Sequence, residues 1–215
     1  MPDTIDTGFA PDLIYSNGNK TATNTEYGNT VRSTISRLLA AGGKYYAEFY
    51  NDPASSADFV GFGICLGTAT NDGGFGPDLF AGITYDNVKD TNYQQRGYYF
   101  GGSAPGNVLR VAVDFDNGVF FVRMNEDGYG WNAFGDNPTG DNPDQPDNGA
   151  TMNWTDPVYV CALLGNAGQI VHYRSEASEF TYPIPTGYQP WGAASSEPNP
   201  DPQPAVRLRR SVHWF

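Results

Sequence analysis

The sequence predicts an all-β chain, an antiparallel β-sandwich in a single domain with an extended carboxy-terminal tail. Three observations lead there. Bulky strand formers and turn formers are both plentiful, with 13 Phe, 14 Tyr and 4 Trp beside 26 Gly and 16 Pro, a pairing that favours many short strands. Strand-like runs recur with turn signals between them. No helical crossover of the kind that parallel strands need separates these runs. At 215 residues the chain can bury a sizeable core without disulfide or metal support.

Residues 1–11 read as a polar amino-terminal arm, and the sandwich is expected over 12–191. Leu13-Ile14-Tyr15, Lys20 to Thr25 and Thr30 to Ser36 look like short strands around the Asn17-Gly18 turn. Only Val31 to Ala41 has a helical alternative, and its Thr, Ser and Ile content speaks against one. Lys44 to Tyr50 and Asp58 to Leu66 are aromatic or β-branched runs joined by a loop with Asn51-Asp52-Pro53. Val108 to Met124 is the clearest unit. Leu109, Val111, Val113 and Phe115 alternate with Arg110, Ala112, Asp114 and Asp116, the period of a half-buried strand. Asp116-Asn117-Gly118 then turns the chain into a return strand, since Asn and Gly tolerate positive φ. Pro157 to Leu164, Gln169 to Tyr173 and Phe180 to Ile184 read as three further strands, the first two linked by Gly165-Asn166-Ala167-Gly168.

Two segments stand apart. Residues 135–149 contain no apolar side chain and repeat Asp-Asn-Pro, as a solvated loop does. Residues 192–215 are a Pro-rich spacer followed by a basic, aromatic tail. If extended, that tail puts Val206, Leu208, Val212 and Trp214 on one face and Arg207, Arg209 and His213 on the other.

A formal charge of −12, from 12 basic and 24 acidic residues, argues against nucleic acid or anionic membrane as partners. No apolar stretch is long enough to span a bilayer, and the polar start Met1-Pro2-Asp3 is not a secretory signal. Cys65 and Cys161 lie inside apolar runs and are expected as reduced, buried thiols.

Catalytic chemistry is poorly supplied. Sandwich glycosidases need two carboxylates flanking a bond, and no E-x-D-x-x-E pattern occurs. Asp114 and Asp116 are accounted for by solvent exposure and by the turn. His172 and His213 are the only histidines, so neither a triad nor a histidine metal site is expected. The Asp and Asn oxygens of 136–147 are of the type calcium uses, but their spacing does not fit a calcium loop and the prolines oppose a wrap. No enzyme, metal or cofactor is expected. Binding candidates are the loop aromatics Tyr129, Trp131 and Phe134 with Asn132 and Trp154, which either stack on a ligand or cap the core. Tyr93, Gln94, Arg96, Tyr98 and Tyr99 form a second group, read as part of an edge strand. Third is the tail, with Val206, Arg207, Leu208, Arg209, Arg210, Val212, His213, Trp214 and Phe215. Its three arginines stand in an acid-free end, suited to an acidic surface.

Several stretches follow one another in a familiar order. Ser16-Asn17-Gly18 with Thr21-Ala22-Thr23 precedes Val31-Arg32-Ser33-Thr34, Gly43-Lys44-Tyr45-Tyr46-Ala47-Glu48-Phe49 and Val60-Gly61-Phe62-Gly63. Gly106 to Asp114, Met124-Asn125 and Trp131-Asn132 with Gly135 to Gly140 come next. Phe180-Thr181-Tyr182, Pro185, Gly187-Tyr188 and Pro190-Trp191 close the series. Over residues 12–192 this series resembles the SPRY domain family, more closely its bacteriophage and prophage type. Asn107, Arg110 and Val171-His172-Tyr173-Arg174 depart from the family's pattern. The resemblance implies a concanavalin A-like jelly roll used for recognition. On that resemblance the chain is expected to be a virion structural or accessory protein, built in the host cytoplasm, whose partners are other virion proteins or further copies of itself. The rival expectation is a fibre component that binds host surface polysaccharide.

Overall fold

The computed structural model describes residues 3–26, 28–56, 60–68, 80–84, 87–89, 95–98, 104–125, 131–132, 143 and 149–193. Among these, fourteen strands numbered along the chain form two sheets. The larger contains β1 (Ile14–Ser16), β2 (Thr21–Thr23), β4 (Lys44–Asn51), β9 (Val108–Asp114), β10 (Val119–Met124), β11 (Ala150–Thr151), β13 (Ile170–Arg174) and β14 (Gln189–Pro190). Its order is β1-β2-β13-β4-β9-β10-β11, and β14 lies parallel to the start of β4. The smaller contains β3 (Asn29–Arg32), β5 (Val60–Leu66), β6 (Phe80–Thr84), β7 (Asn87–Lys89), β8 (Gln95–Tyr98) and β12 (Val158–Leu164), in the order β3-β12-β5-β6-β7-β8. All pairings but that of β14 are antiparallel. The predicted sandwich is what forms.

Side-chain alternation fills the space between the sheets. Ala47 and Phe49, Leu109, Val111 and Val113, and Phe120 and Val122 face Phe62, Ile64, Val158, Val160 and Ala162 across one core. Burying each larger aliphatic or aromatic chain here contributes roughly 2 kcal/mol. The 165–168 link carries the chain from β12 in one sheet to β13 in the other, so it is an arch and not a hairpin.

Some expectations change. The helical alternative at 31–41 reduces to one 3-10 turn, Leu39–Ala41. The Val108 to Met124 hairpin forms, but Phe115 joins the turn, because Asp114 pairs with Val119. Gly118 alone in that turn has positive φ, at 63°. β9 is buried along its whole length, not on one face. Asp114 is therefore not exposed: its carboxylate sits 2.9 Å from Lys44 Nζ and accepts from Asn117. Phe180 to Ile184 is not a strand. Its backbone N–H groups at Thr181 and Tyr182 donate to the Glu48 carboxylate, while Pro183 and Pro185 have none to donate.

Both ends of the described chain meet at Ile35. Its N–H donates to Asp3 Oδ1 at 3.0 Å, and its carbonyl accepts from Trp191 Nε1 at 3.0 Å. Ile5 and Ala10, from the stretch ahead of the expected domain start, belong to the core. Arg37 closes the other end. It donates to the carbonyls of Trp191 and Ala193 and lies 3.8 Å from the Tyr45 ring.

Candidate functional site

The outward face of the larger sheet carries charges at one register level. Arg174 on β13, Glu48 on β4, Arg110 on β9 and Arg123 on β10 are successive cross-strand partners. Burying such groups is costly unless every one finds a partner. Glu48 is fully buried, and its carboxylate accepts from the Tyr46 hydroxyl at 2.7 Å. The N–H groups of Thr181 and Tyr182 donate to it at 2.8 and 3.0 Å, and Arg174 Nη1 approaches at 3.4 Å. Arg110 Nε donates to the Tyr46 oxygen at 3.1 Å, and its guanidinium lies 4.7 and 4.6 Å from the Trp131 and Tyr182 rings. Burial and the neighbouring Glu48 carboxylate push the Tyr46 phenol far up, so it stays a neutral donor. This row glues the 175–191 segment to the sheet.

The loop candidates separate in space. Trp131 packs on this outward face with Tyr46, Ala112 and Phe121. Asn132 is buried at φ 50° and works as an extra strand partner: its side chain accepts from Val122 N–H at 2.9 Å and donates to Phe120 O. Trp154 lies in the core between the sheets. With exposures of 6% and 7%, neither Trp ring offers a face to a ligand. Trp131 covers the outward face of the larger sheet and Trp154 fills the core between the sheets, because such rings are cheaper to bury than to leave in water. Tyr129, Phe134, the 135–149 loop apart from Pro143 and Gly149, and the whole tail from Val206 to Phe215 lie outside the described residues. Of the second aromatic group, Arg96 and Tyr98 fall on β8, the expected edge strand.

A cavity of about 300 Å³ opens on the same outward face, next to the charged row. Tyr50 on β4 and His172 and Arg174 on β13 form its floor, while Asn17, Lys20 and Glu179 form its rim. The rim has an unusual backbone. Asn17, Gly18 and Asn19 are all left-handed, with φ of 51°, 62° and 62°, a conformation that Asn and Gly tolerate best. The turn brings Lys20 over the cavity, where Nζ meets Ser175 Oγ at 2.7 Å and Glu179 Oε2 at 3.1 Å. Burial pulls the Glu179 carboxyl upward, but the Ser175 N–H and the Lys20 ammonium hold it below its ordinary value. His172 is fixed at both nitrogens, by Asp52 Oδ2 at 2.6 Å and Thr21 Oγ1 at 2.9 Å, and stacks on Tyr50. The Arg174 guanidinium lies 4.7 Å from the Tyr50 ring.

Sequence reading missed this cavity. In the sequence Arg174 stands out only as a departure from a pattern, and His172 as that and as one of two histidines, although their alternation with Val171 and Tyr173 places them on one half-buried strand face. Among the described residues, no three of His, Cys, Asp and Glu converge where they could hold a metal ion, and no helix is long and apolar enough to cross a membrane.

Solved structures match this architecture. The crystal structure of the SPRY domain of human HERC1 superposes with a TM-score of 0.51 at 12% identity, covering 83% of this chain and 99% of that one. This chain has the SPRY-domain fold. The Drosophila melanogaster neuralized NHR1 domain is also similar, at 9% identity and a TM-score of 0.45, covering 80% of this chain and 98% of that one. No family model matches the sequence, and no curated protein matches it. The SPRY-like sandwich is thus kept at very low identity.

Proposed function

We propose that this SPRY-like sandwich is a non-catalytic recognition domain of a bacteriophage particle, made in the host cytoplasm and bound in the virion to neighbouring proteins. The observation that supports recognition is the concave polar surface of Tyr50, His172, Arg174 and Lys20, held on a rigid sheet. Its hydrogen bonds fix the side chains before any partner arrives, which lowers the cost of binding. The resemblance to phage-type SPRY-like sequences over residues 12–192 supports the virion setting. The basic, aromatic segment 205–215 supplies a second contact, suited to strand addition on a neighbour. The polysaccharide reading loses support because Trp131 and Trp154 are buried.

The test is a chain ending at Ala193, which keeps both carbonyl acceptors of Arg37. It is expected to melt like the full chain and to fail to enter particles. Normal incorporation would remove the tail from the proposal.

A further inference from the structure

Resting on the recognition reading, we infer that the cavity beside Arg174 takes the carboxylate of an aspartate or glutamate side chain from a protein partner.

Donor accounting points there. A guanidinium has five N–H donors and an ammonium three. Both hydrogen-bonding contacts of Arg174, to Glu48 and to Thr181, run through Nη1. The Nε and Nη2 N–H groups have no hydrogen-bond partner among the described residues, and together they form the edge that grips a carboxylate with two parallel bonds. Lys20 uses two of its three donors, on Ser175 and Glu179. Two cations with unused donors therefore border one open cavity of about 300 Å³. Glu179 is the one carboxylate in the lining among the described residues; Glu48 and Asp52 lie behind it, bonded to Arg174 Nη1 and His172 Nε2, and leave the Arg174 Nε–Nη2 edge open.

The floor argues against a sugar. Stacking on a sugar ring needs an open aromatic face. The Tyr50 ring is overlain by the Arg174 guanidinium at 4.7 Å and stacked with His172 at 5.7 Å. Those same contacts hold Arg174 in place, so the free edge is presented without loss of further side-chain freedom.

The experiment uses the full chain and two peptides, Ac-Gly-Glu-Asp-Glu-Gly-NH2 and its amide counterpart Ac-Gly-Gln-Asn-Gln-Gly-NH2, followed by NMR. The acidic peptide is expected to shift the Arg174 Nε–H resonance and the amides of Lys20 and His172, and the amide peptide to leave them in place. Arg174→Gln is expected to weaken acidic-peptide binding by about tenfold. Arg174→Lys keeps the charge facing Glu48 and removes the fork, so it should lose most of the same affinity even if the glutamine variant folds poorly. Equal shifts from both peptides, unchanged binding by the lysine variant, or tighter binding of oligogalacturonate or inorganic phosphate would overturn the assignment. If the wild-type chain enters particles yet binds no acidic peptide, the cavity assignment fails while the recognition reading stands. If it does not enter particles at all, the recognition reading itself fails.

Discussion

Glu48 shows how much one side chain can carry when it is removed from water. Four donors converge on it, two of them backbone N–H groups of a segment that makes no ladder bonds of its own there. Replacing it with alanine would strand those donors and leave Arg174 without its carboxylate. Glu48→Ala is therefore expected to cost about 3 kcal/mol, read from the urea midpoint with unchanged slope. A wild-type midpoint would show that water replaces the carboxylate without loss. In the sequence this residue is visible as an acid inside the run Lys44 to Tyr50 and in the stretch Gly43 to Phe49 that carries the resemblance. Its alternation with Tyr46 and Tyr50 gave its face, but periodicity says nothing of what lies on that face. The same blindness put Asp114 in solvent and left Trp131 undecided between ligand and core.

At the scale of elements, strands bounded by strong turn residues were legible nearly to the residue. Lys44–Asn51 and Val158–Leu164 match the runs that predict them. Phe180 to Ile184 misled because aromatic and β-branched composition reports burial, and here burial comes from lying on a sheet, not from joining one. The pair β5–β6 has the opposite lesson: two glycines make it possible. Gly63 faces Gly82, and a Cβ on Gly63 would stand 2.1 Å from the Ala81 carbonyl oxygen. Both obstructing groups are backbone, so relief requires the strands to part. Gly63→Ala should lower stability by roughly 3 kcal/mol or more, seen as a fall in melting temperature. An unshifted melt would mean the strands already sit further apart.

For the molecule as a whole, the acid response should be a contest between two groups of carboxyls. At Asp52 the Ala54 N–H and then His172 hold the pKa down. At Asp114 burial pulls upward, but Lys44 and Asn117 outweigh it, as Ser175 and Lys20 do at Glu179. Stability from these three is complete above the unfolded values of 3.8 and 4.5 and is lost as pH falls through the folded ones. Asp3 runs the other way. Burial raises its pKa despite bonds from Tyr173, Ile35 and Thr34, so its contribution is present below 3.8 and is lost as pH rises through the folded value. Urea unfolding across a pH series should show Asp3→Asn gaining on the wild type from about pH 4 upward, and Asp114→Asn losing ground over the same rise. A constant gap for Asp3→Asn would mean that its carboxyl titrates normally. The global shape was the most legible level of all, because composition and alternation fix how sheets must stack even when individual contacts stay hidden.

The meeting of Asp3 and Trp191 at Ile35 bears on how the described sandwich can be wired into a longer polypeptide. Entry and exit lie on one side, so the sandwich behaves as a pendant that a host chain could carry within a loop without stretching across it. A circular permutant that joins Ala193 to Asp3 by a short flexible linker, and is opened in the Asp116–Gly118 turn, should fold and melt close to the parent. Failure of that rearranged chain, with other surface openings tolerated, would mean that the order of assembly and not the final contacts requires the Asp116–Gly118 connection.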